Sequence, residues 1–372
     1  MKKANGHEII HLFEQFSPKR LAMEGDKIGL QIGRLNQQVK NVLVALDVTE
    51  EVAKEAEEKD VQLIIAHHPP IYRPLANLRT DLPQGRMIER LLKNDIAVYA
   101  AHTNLDVTTG GLNDWLADAL HLENREVLVE TGEIPLKKLV VFAPMEAADS
   151  IREAIGHIGA GAIGNYRNCS FSVEGTGRFQ PEEDANPYIG TVGKLEEVRE
   201  VRIETIFPET IEKPLMKAML HAHPYEEPAY DIYPLSMKGE VYGLGRIGYL
   251  PEEMTLKEFA HFVKNVLDAG GIRVIGNMDD TVKKVAVLGG DGNKYYPWAL
   301  RKGADVYVTG DMYYHTAIDA KNEGLNIVDP GHHVEQIMKK KVAETMANLC
   351  NERGLSVNFI PSSVRTDPFQ FL

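Results

Sequence analysis

The sequence predicts an α/β protein: a two-lobed core of parallel-type βα units, interrupted by a ferredoxin-like βαββαβ insertion. Three features point there. Short apolar, β-rich runs alternate with helical patterns in the first third of the chain, and the same cadence returns in the last third. The middle third differs in character and has Gly and Pro clustered at its edges. A chain of 372 residues exceeds what one hydrophobic core normally organises. The expected boundaries are residues 1–129 for the first core lobe, 130–238 for the insertion and 239–372 for the second lobe.

In chain order, Ile9, Leu12, Phe13 and Phe16 repeat at helical spacing and predict an amphipathic first helix, with no unbroken apolar run of the kind an export signal needs. VLVALD from Val42, VQLIIA from Val61 and IAVYAA from Ile96 predict strands. EEVAKEAEEKD and the Met87, Ile88, Leu91, Leu92 pattern supply the crossover helices between them. The insertion reads as strand (KKLVVFAP), helix (145–155), two strands (CSFSVEGTGRFQP, EEVREVRIETIFP), helix (213–221) and strand (EEPAYDIYPL). VKKVAVLGG, ADVYVTGD and LNIVDPGHH then repeat the pattern of the first third, with Trp298 and Leu300 in an intervening helix. In both outer thirds apolar strands run into polar residues: Asp47, His67 and Asp106 in one, Asp291, Asp311 and His332 in the other. Ligands of open α/β sheets bind beyond the carboxyl ends of the strands, so both sets could meet in one cleft.

Composition narrows the function. The apolar fraction is 44% and the charged fraction 26%, ordinary for a soluble globular protein, and no apolar run approaches the ~20 residues of a membrane span. A net charge of −13 opposes nonspecific phosphate-backbone binding, so nucleic acid is not an expected partner. The basic cluster Lys339 to Lys341 reads as a solvated helix face. Cys169 and Cys350 are too few for a disulfide framework or a thiolate zinc site, which points to a reducing compartment and a cytoplasmic location.

Three clusters carry the chemistry. LIIAHHPP places His67 and His68 where a strand ends and Pro69 turns the chain. Side chains alternate on a strand, so two adjacent histidines suit two different metal ions better than one. HTNLD offers Asp106 as a hard carboxylate, which reads otherwise as an N-cap for a helix near Gly111. His102 there suits a supporting partner or proton shuttle. DPGHHVEQ puts His332 and Glu335 three apart, on one face if a helix starts at the glycine. His333 stands as an alternative to His332, and helix N-terminal polarity is the plain alternative for the fragment. In GDMYYH, Asp311 and His315 could line the same cleft as substrate contacts or acid/base groups, or simply open a helix.

Together the clusters predict a di-metal site for two divalent ions, with zinc first and iron, manganese or cobalt compatible. Ions ~3.5–4 Å apart can share a carboxylate and acidify a shared water, which makes hydrolysis the natural chemistry. GLGRIG, Gly243 to Gly248, fits a dinucleotide pattern but does not open a helix after a buried strand. HAHPYEEPAYDIYP, from His221, reads as a packed turn or subunit contact.

HHPP, HTNLD and GHHVE, in this order and at these strand ends, resemble the GTP cyclohydrolase 1 type 2 homolog family, also called Nif-three-like, over nearly the whole chain. The insertion resembles the domain similar to PII signalling proteins and CutA that interrupts the long bacterial members. The resemblance implies a two-lobed metal-binding core and a toroidal homohexamer with metal sites facing an inner cavity. It also implies one ion held by His67, Asp106 and Glu335 and another by His68, His332 and a bridging Glu335. A longer His-to-Glu spacing in many relatives keeps the choice between His332 and His333 open. The family name implies hydrolytic opening of the guanine imidazole ring of GTP, although no guanine or triphosphate pocket is readable here. The expected function is thus a metal-dependent hydrolase of a nucleotide-like or other small substrate, with His102 or His315 as proton carriers. The alternative is a metal-dependent regulatory oligomer that binds a small effector without turnover.

Overall fold

Fully buried apolar strands form the spines of two mixed sheets in the structure, a computed structural model that describes residues 2–372. The chain divides into two compact units, one comprising the residues up to Thr131 together with Tyr242–Leu372, the other Gly132–Val241.

In the first unit, a five-stranded sheet runs in the order Asn358–Pro361, Asn41–Ala45, Leu63–Ala66, Ala97–Ala100, Gly29–Ile32. All its neighbours are parallel except the last pair. Alternate side chains enter different cores, as the two-residue period of a strand requires. Leu43, Ala45, Ile64, Ala66 and Val98 pack with Val52, Ala56, Met87 and Leu91 of the crossover helices Glu50–Glu58 and Pro83–Lys93. Val42, Val44, Leu63, Ile65 and Tyr99 pack with Phe13, Trp115, Met338 and Val342. Helices thus cover both faces, which is why these strands read as unbroken apolar runs. Each fully buried Val, Leu or Ile contributes about 1.5–3 kcal/mol.

A six-stranded sheet runs Arg273–Ile275, Asn326–Asp329, Val306–Gly310, Thr281–Asp291, Val241–Thr255, Glu123–Glu133. The strands Thr281–Asp291, Val306–Gly310 and Asn326–Asp329 are mutually parallel. Val285, Val287, Val306, Val308 and Val328 share one core with the apolar residues of the first sheet. Both sheets therefore bring the carboxyl ends of parallel strands to one region, and polar residues stand at or just beyond three ends in each: Asp47, His67 and His102, and Asp291, Asp311 and His332.

GLGRIG lies inside the strand Val241–Thr255 and serves packing. Gly245 has φ +66°, and a Cβ there would meet the Val287 carbonyl at 2.8 Å. Arg246 is 4% exposed, and its guanidinium grips both Asp114 oxygens at 2.7 Å while donating to the Gly243 and Gly245 carbonyls.

In the second unit, Leu136–Pro144, Phe171–Phe179, Glu196–Pro208 and Tyr230–Pro234 form one sheet in the order fourth, first, third, second, with every neighbour antiparallel. Helices Ala148–His157 and Glu212–Ala222 supply Ile151, Ile155, Leu215 and Met219 to its core. His223 is a packing residue here: its Nε2–H donates to the Phe142 carbonyl and its Nδ1 accepts from the Tyr225 amide. Burial pushes its pKa down.

Arg246→Ala leaves the Asp114 carboxylate without its bidentate partner and should cost about 3–5 kcal/mol of stability. Denaturant unfolding checks this; a loss under about 1 kcal/mol would show the pair to be dispensable.

Candidate metal centre

His67 and His68 prolong the central strand, their amides donating to the Ala45 and Leu46 carbonyls. His67 is wholly buried, and its Nδ1–H donates to the Ala101 carbonyl at 2.9 Å. That bond fixes the tautomer and leaves Nε2 as the free nitrogen. Nε2 has no hydrogen-bond partner, and neither does the buried Asp106 Oδ1 that lies 3.5 Å from it. Asp106 sits in the short helix Thr103–Val107, whereas the helix Leu112–Ala119 starts from Gly111 without a side-chain cap. The capping role that the sequence allowed for Asp106 is not the one it takes.

Glu335 lies at the centre of the cluster and is 3% exposed. Its Oε2 is 3.1 Å from His68 Nε2, 3.1 Å from His332 Nε2 and 3.7 Å from His67 Nε2. His332–Gln336 is a 3-10 turn, in which residues three apart eclipse one another, so His332 stands over Glu335. His333, whose buried Nε2 also lacks a partner, belongs to none of the ligand groups. Behind Glu335, the bare backbone of Gly289 and Gly290 makes room. A Cβ on Gly290, which has φ +67°, would sit 2.8 Å from Glu335 Oε1.

Each imidazole is held from its far side. Asp47 accepts from His68 Nδ1 at 2.7 Å, Asp311 from His332 Nδ1 at 2.7 Å and Asp26 from His102 Nδ1 at 2.9 Å. Such backing is what metal-binding histidines use to fix ring orientation and raise basicity. Asp311 reaches its position through a left-handed backbone, φ +56°, uncommon for a residue with a side chain. Asn293 secures that turn by donating to the Asp311 carbonyl, and Asp329 does so by accepting from the Met312 amide.

Three groups of ligand atoms result, each lying within 4.8 Å: His67, Asp106 and Glu335; His68, His332 and Glu335; and His67, His68 and His102. The donor set of imidazole and carboxylate fits a borderline divalent cation. The orphaned His67 Nε2 and Asp106 Oδ1 fit it too, because buried polar atoms rarely stay unpaired. His315 is exposed on the helix Tyr314–Asn322, packed against Tyr314 and outside these groups. Asp26 went unread in the sequence, where EGDKIG carries no signal beyond a polar loop. GlyGlyAsp at a strand end did carry one, since paired glycines mark close approach.

Without metal, the charges distribute unevenly. Burial opposes the His68 imidazolium, but Asp47 and Glu335 raise its pKa to about 10; the same balance, with Glu335 and Asp311, takes His332 to about 9. Burial, joined by the Glu335 charge, pushes Asp106 up to about 6. Glu335 is held well below the carboxylate range, against its own burial, by His67, His332 and His68.

The fold and site therefore define an α/β protein whose clustered histidines and carboxylates could hold metal. The Duf34/NIF3 (NGG1p interacting factor 3) family model matches residues 4–368, and the chain belongs to that family. The "GTP cyclohydrolase 1 type 2 homolog" of Bacillus subtilis (strain 168) is 59% identical over 371 residues, covering 100% of both chains. The crystal structure of a Bacillus cereus protein related to NIF3 is 58% identical and superposes with a TM-score of 0.95 over 100% of both chains. Staphylococcus aureus protein SA1388 is 31% identical with a TM-score of 0.78, again over 100% of both. Among the described residues no helix is long and apolar enough to cross a membrane.

Two outcomes are expected. Asp47→Ala and Asp311→Ala should each weaken zinc binding about 10–100-fold, measured by competition with a chromophoric chelator; unchanged affinity would show the carboxylates to be bystanders. The pH response follows from the protonated His68 and His332. Their folded-state pKa values exceed the ordinary 6.5, so their contribution to stability is full below about 6.5 and is lost as pH rises through about 9 to 10. A divalent ion must displace these protons, so apparent zinc affinity should climb over the same interval while the chelator-treated protein loses melting temperature. Calorimetric titration and thermal melts check both slopes, and flat profiles would contradict the assignment.

Proposed function

We propose that the chain holds two divalent ions, one at His67, Asp106 and Glu335 and one at His68, His332 and Glu335, and hydrolyses a nucleotide-like or other small substrate. The observation that carries this is a single buried carboxylate oxygen, Glu335 Oε2, equidistant at 3.1 Å from His68 and His332 and also facing His67. That arrangement supports a bridging ligand. Zinc leads on donor chemistry, and iron, manganese and cobalt are compatible. Bound ions would supply Lewis acidity and an acidified water.

The residues do the rest. Glu335 sets the spacing of the two sites, and Asp47 and Asp311 keep the His68 and His332 rings turned toward them. His102, its Nδ1 held by Asp26 and its ring 5.2 Å from that of His67, is the proposed proton carrier. Against the burial that would discharge it, Asp26 and Asp106 raise its pKa, which suits it to hold a proton near the reacting centre. His315, exposed and away from the ligand groups, is the weaker of the two sequence-derived carriers.

The names of the relatives suggest GTP as a substrate to test first. A second reading is supported by the insertion being a compact unit with its own core. Its strand order agrees with a ferredoxin-like, PII/CutA-like module spanning about residues 130–238. The protein would then be a cytoplasmic homohexamer that responds to a small effector. Neither a nucleic acid nor a membrane is a proposed partner.

Metal analysis of purified protein should give two ions per chain, falling to one in His68→Ala and to fewer than one in Glu335→Gln. Turnover of GTP or another member of a nucleotide panel should disappear with chelator and drop at least ~100-fold in Glu335→Gln. Two bound ions with no chelator-sensitive turnover across the panel would favour the regulatory reading; absence of bound metal would sink both.

A further inference from the structure

The strand Asn358–Pro361 lies parallel to Asn41–Ala45, so the segments that follow the two strands leave the sheet side by side. The Ser362 amide donates to the Val44 carbonyl at 2.8 Å, keeping them in register. A few residues on, Asp47 and Thr366 meet. One Asp47 oxygen accepts from His68 Nδ1 at 2.7 Å, and the other accepts from the Thr366 hydroxyl. A carboxylate fixed at both oxygens cannot swing, and it transmits that restraint to the imidazole.

The segment that delivers Thr366 has no regular secondary structure, yet it is anchored along its length. Glu55, 6% exposed, accepts from the Ser362 hydroxyl at 2.5 Å and from the Ser363 amide and hydroxyl at 2.8 and 2.6 Å. Lys339 donates to the Val364 carbonyl, and Arg365 pairs with Asp268 at 3.4 Å. Beyond Thr366, the Phe371 ring covers Gly270 and Gly271 so closely that a Cβ on Gly271 would lie 2.2 Å from it. Lys59 balances the Glu55 charge at 2.7 Å, and the two serines satisfy the lone pairs that remain, so the strap is tied to a buried, paired carboxylate that needs every partner it has.

We propose that Thr366 is a positioning residue for the metal centre: through Asp47 it fixes His68, and hence the ion held by His68, His332 and Glu335, without acting on the ion held by His67, Asp106 and Glu335. The backing of His67 supports this selectivity, since it comes from the Ala101 carbonyl. The inference rests on the two-ion reading above.

The test compares wild type, Thr366→Val and Thr366→Ser. The readouts are stepwise zinc affinities by chelator competition, the ligand-field spectrum of the cobalt-loaded protein, and melting of the metal-free protein. In Thr366→Val one of the two affinities should weaken about three- to tenfold, the worth of one hydrogen bond, and one component of the cobalt spectrum should change. Thr366→Ser should restore both, and metal-free Thr366→Val should melt lower by no more than the few degrees one hydrogen bond is worth. Both affinities unchanged within about twofold in Thr366→Val would overturn the proposal, and so would equal weakening of both. A wild-type protein that binds fewer than two ions would overturn it along with the two-ion reading, an outcome distinct from either.

Discussion

Glu335 carries a negative charge to a place where 3% of its surface meets water. Burying a lone carboxylate costs several kcal/mol, so the charge persists only because imidazoles surround it. His67, His68 and His332 bring nitrogens to within 3.7 Å of one oxygen, from strand ends in two different sheets. Much of the local architecture follows from that requirement. The 3-10 turn stacks His332 on Glu335, the Gly289–Gly290 backbone leaves its other oxygen room, and Asp47 and Asp311 supply the charge that keeps the rings aligned. Divalent ions bound here would take the place of the protons that the His68 and His332 rings present to Glu335.

The parts of this centre that could be read from the sequence share a physical origin. Parallel strands buried on both faces are continuous apolar runs, and their ends are marked by the abrupt arrival of His or Asp. VQLIIA followed by HHPP, and LNIVDP followed by GHHVE, are therefore conspicuous. The choice between His332 and His333 was not readable, because an α-turn and a 3-10 turn place them differently and the residues permit both. Asp26 and Thr366 support the ligands from loops, where no periodicity announces a role. The short strand Gly29–Ile32 and the edge strand Arg273–Ile275 escaped the pattern for a related reason: each is defined by its pairing partner rather than by its own composition.

The insertion illustrates a milder constraint. Glu123–Glu133 and Val241–Thr255 are neighbours in one sheet, and the Thr131 hydroxyl meets the Tyr242 carbonyl at 3.4 Å. The chain leaves and re-enters where a tight hairpin turn would suffice. The entropy of closing a loop grows only slowly with its length, and a loop that folds on its own core grows cheaper still. Residues Gly132–Val241 can therefore form a compact unit of their own at this point of the chain.

His68 and Glu335 touch across 267 positions of sequence. A growing polypeptide thus displays its paired imidazoles long before their carboxylate has been translated, and the first sheet itself stays incomplete until Asn358–Pro361, beyond the final helix, has emerged. Any cation captured in that interval meets a half-built nest with neither bridge nor second wall. Whatever ion the cluster holds, its full set of donors exists only once nearly the whole chain has been made.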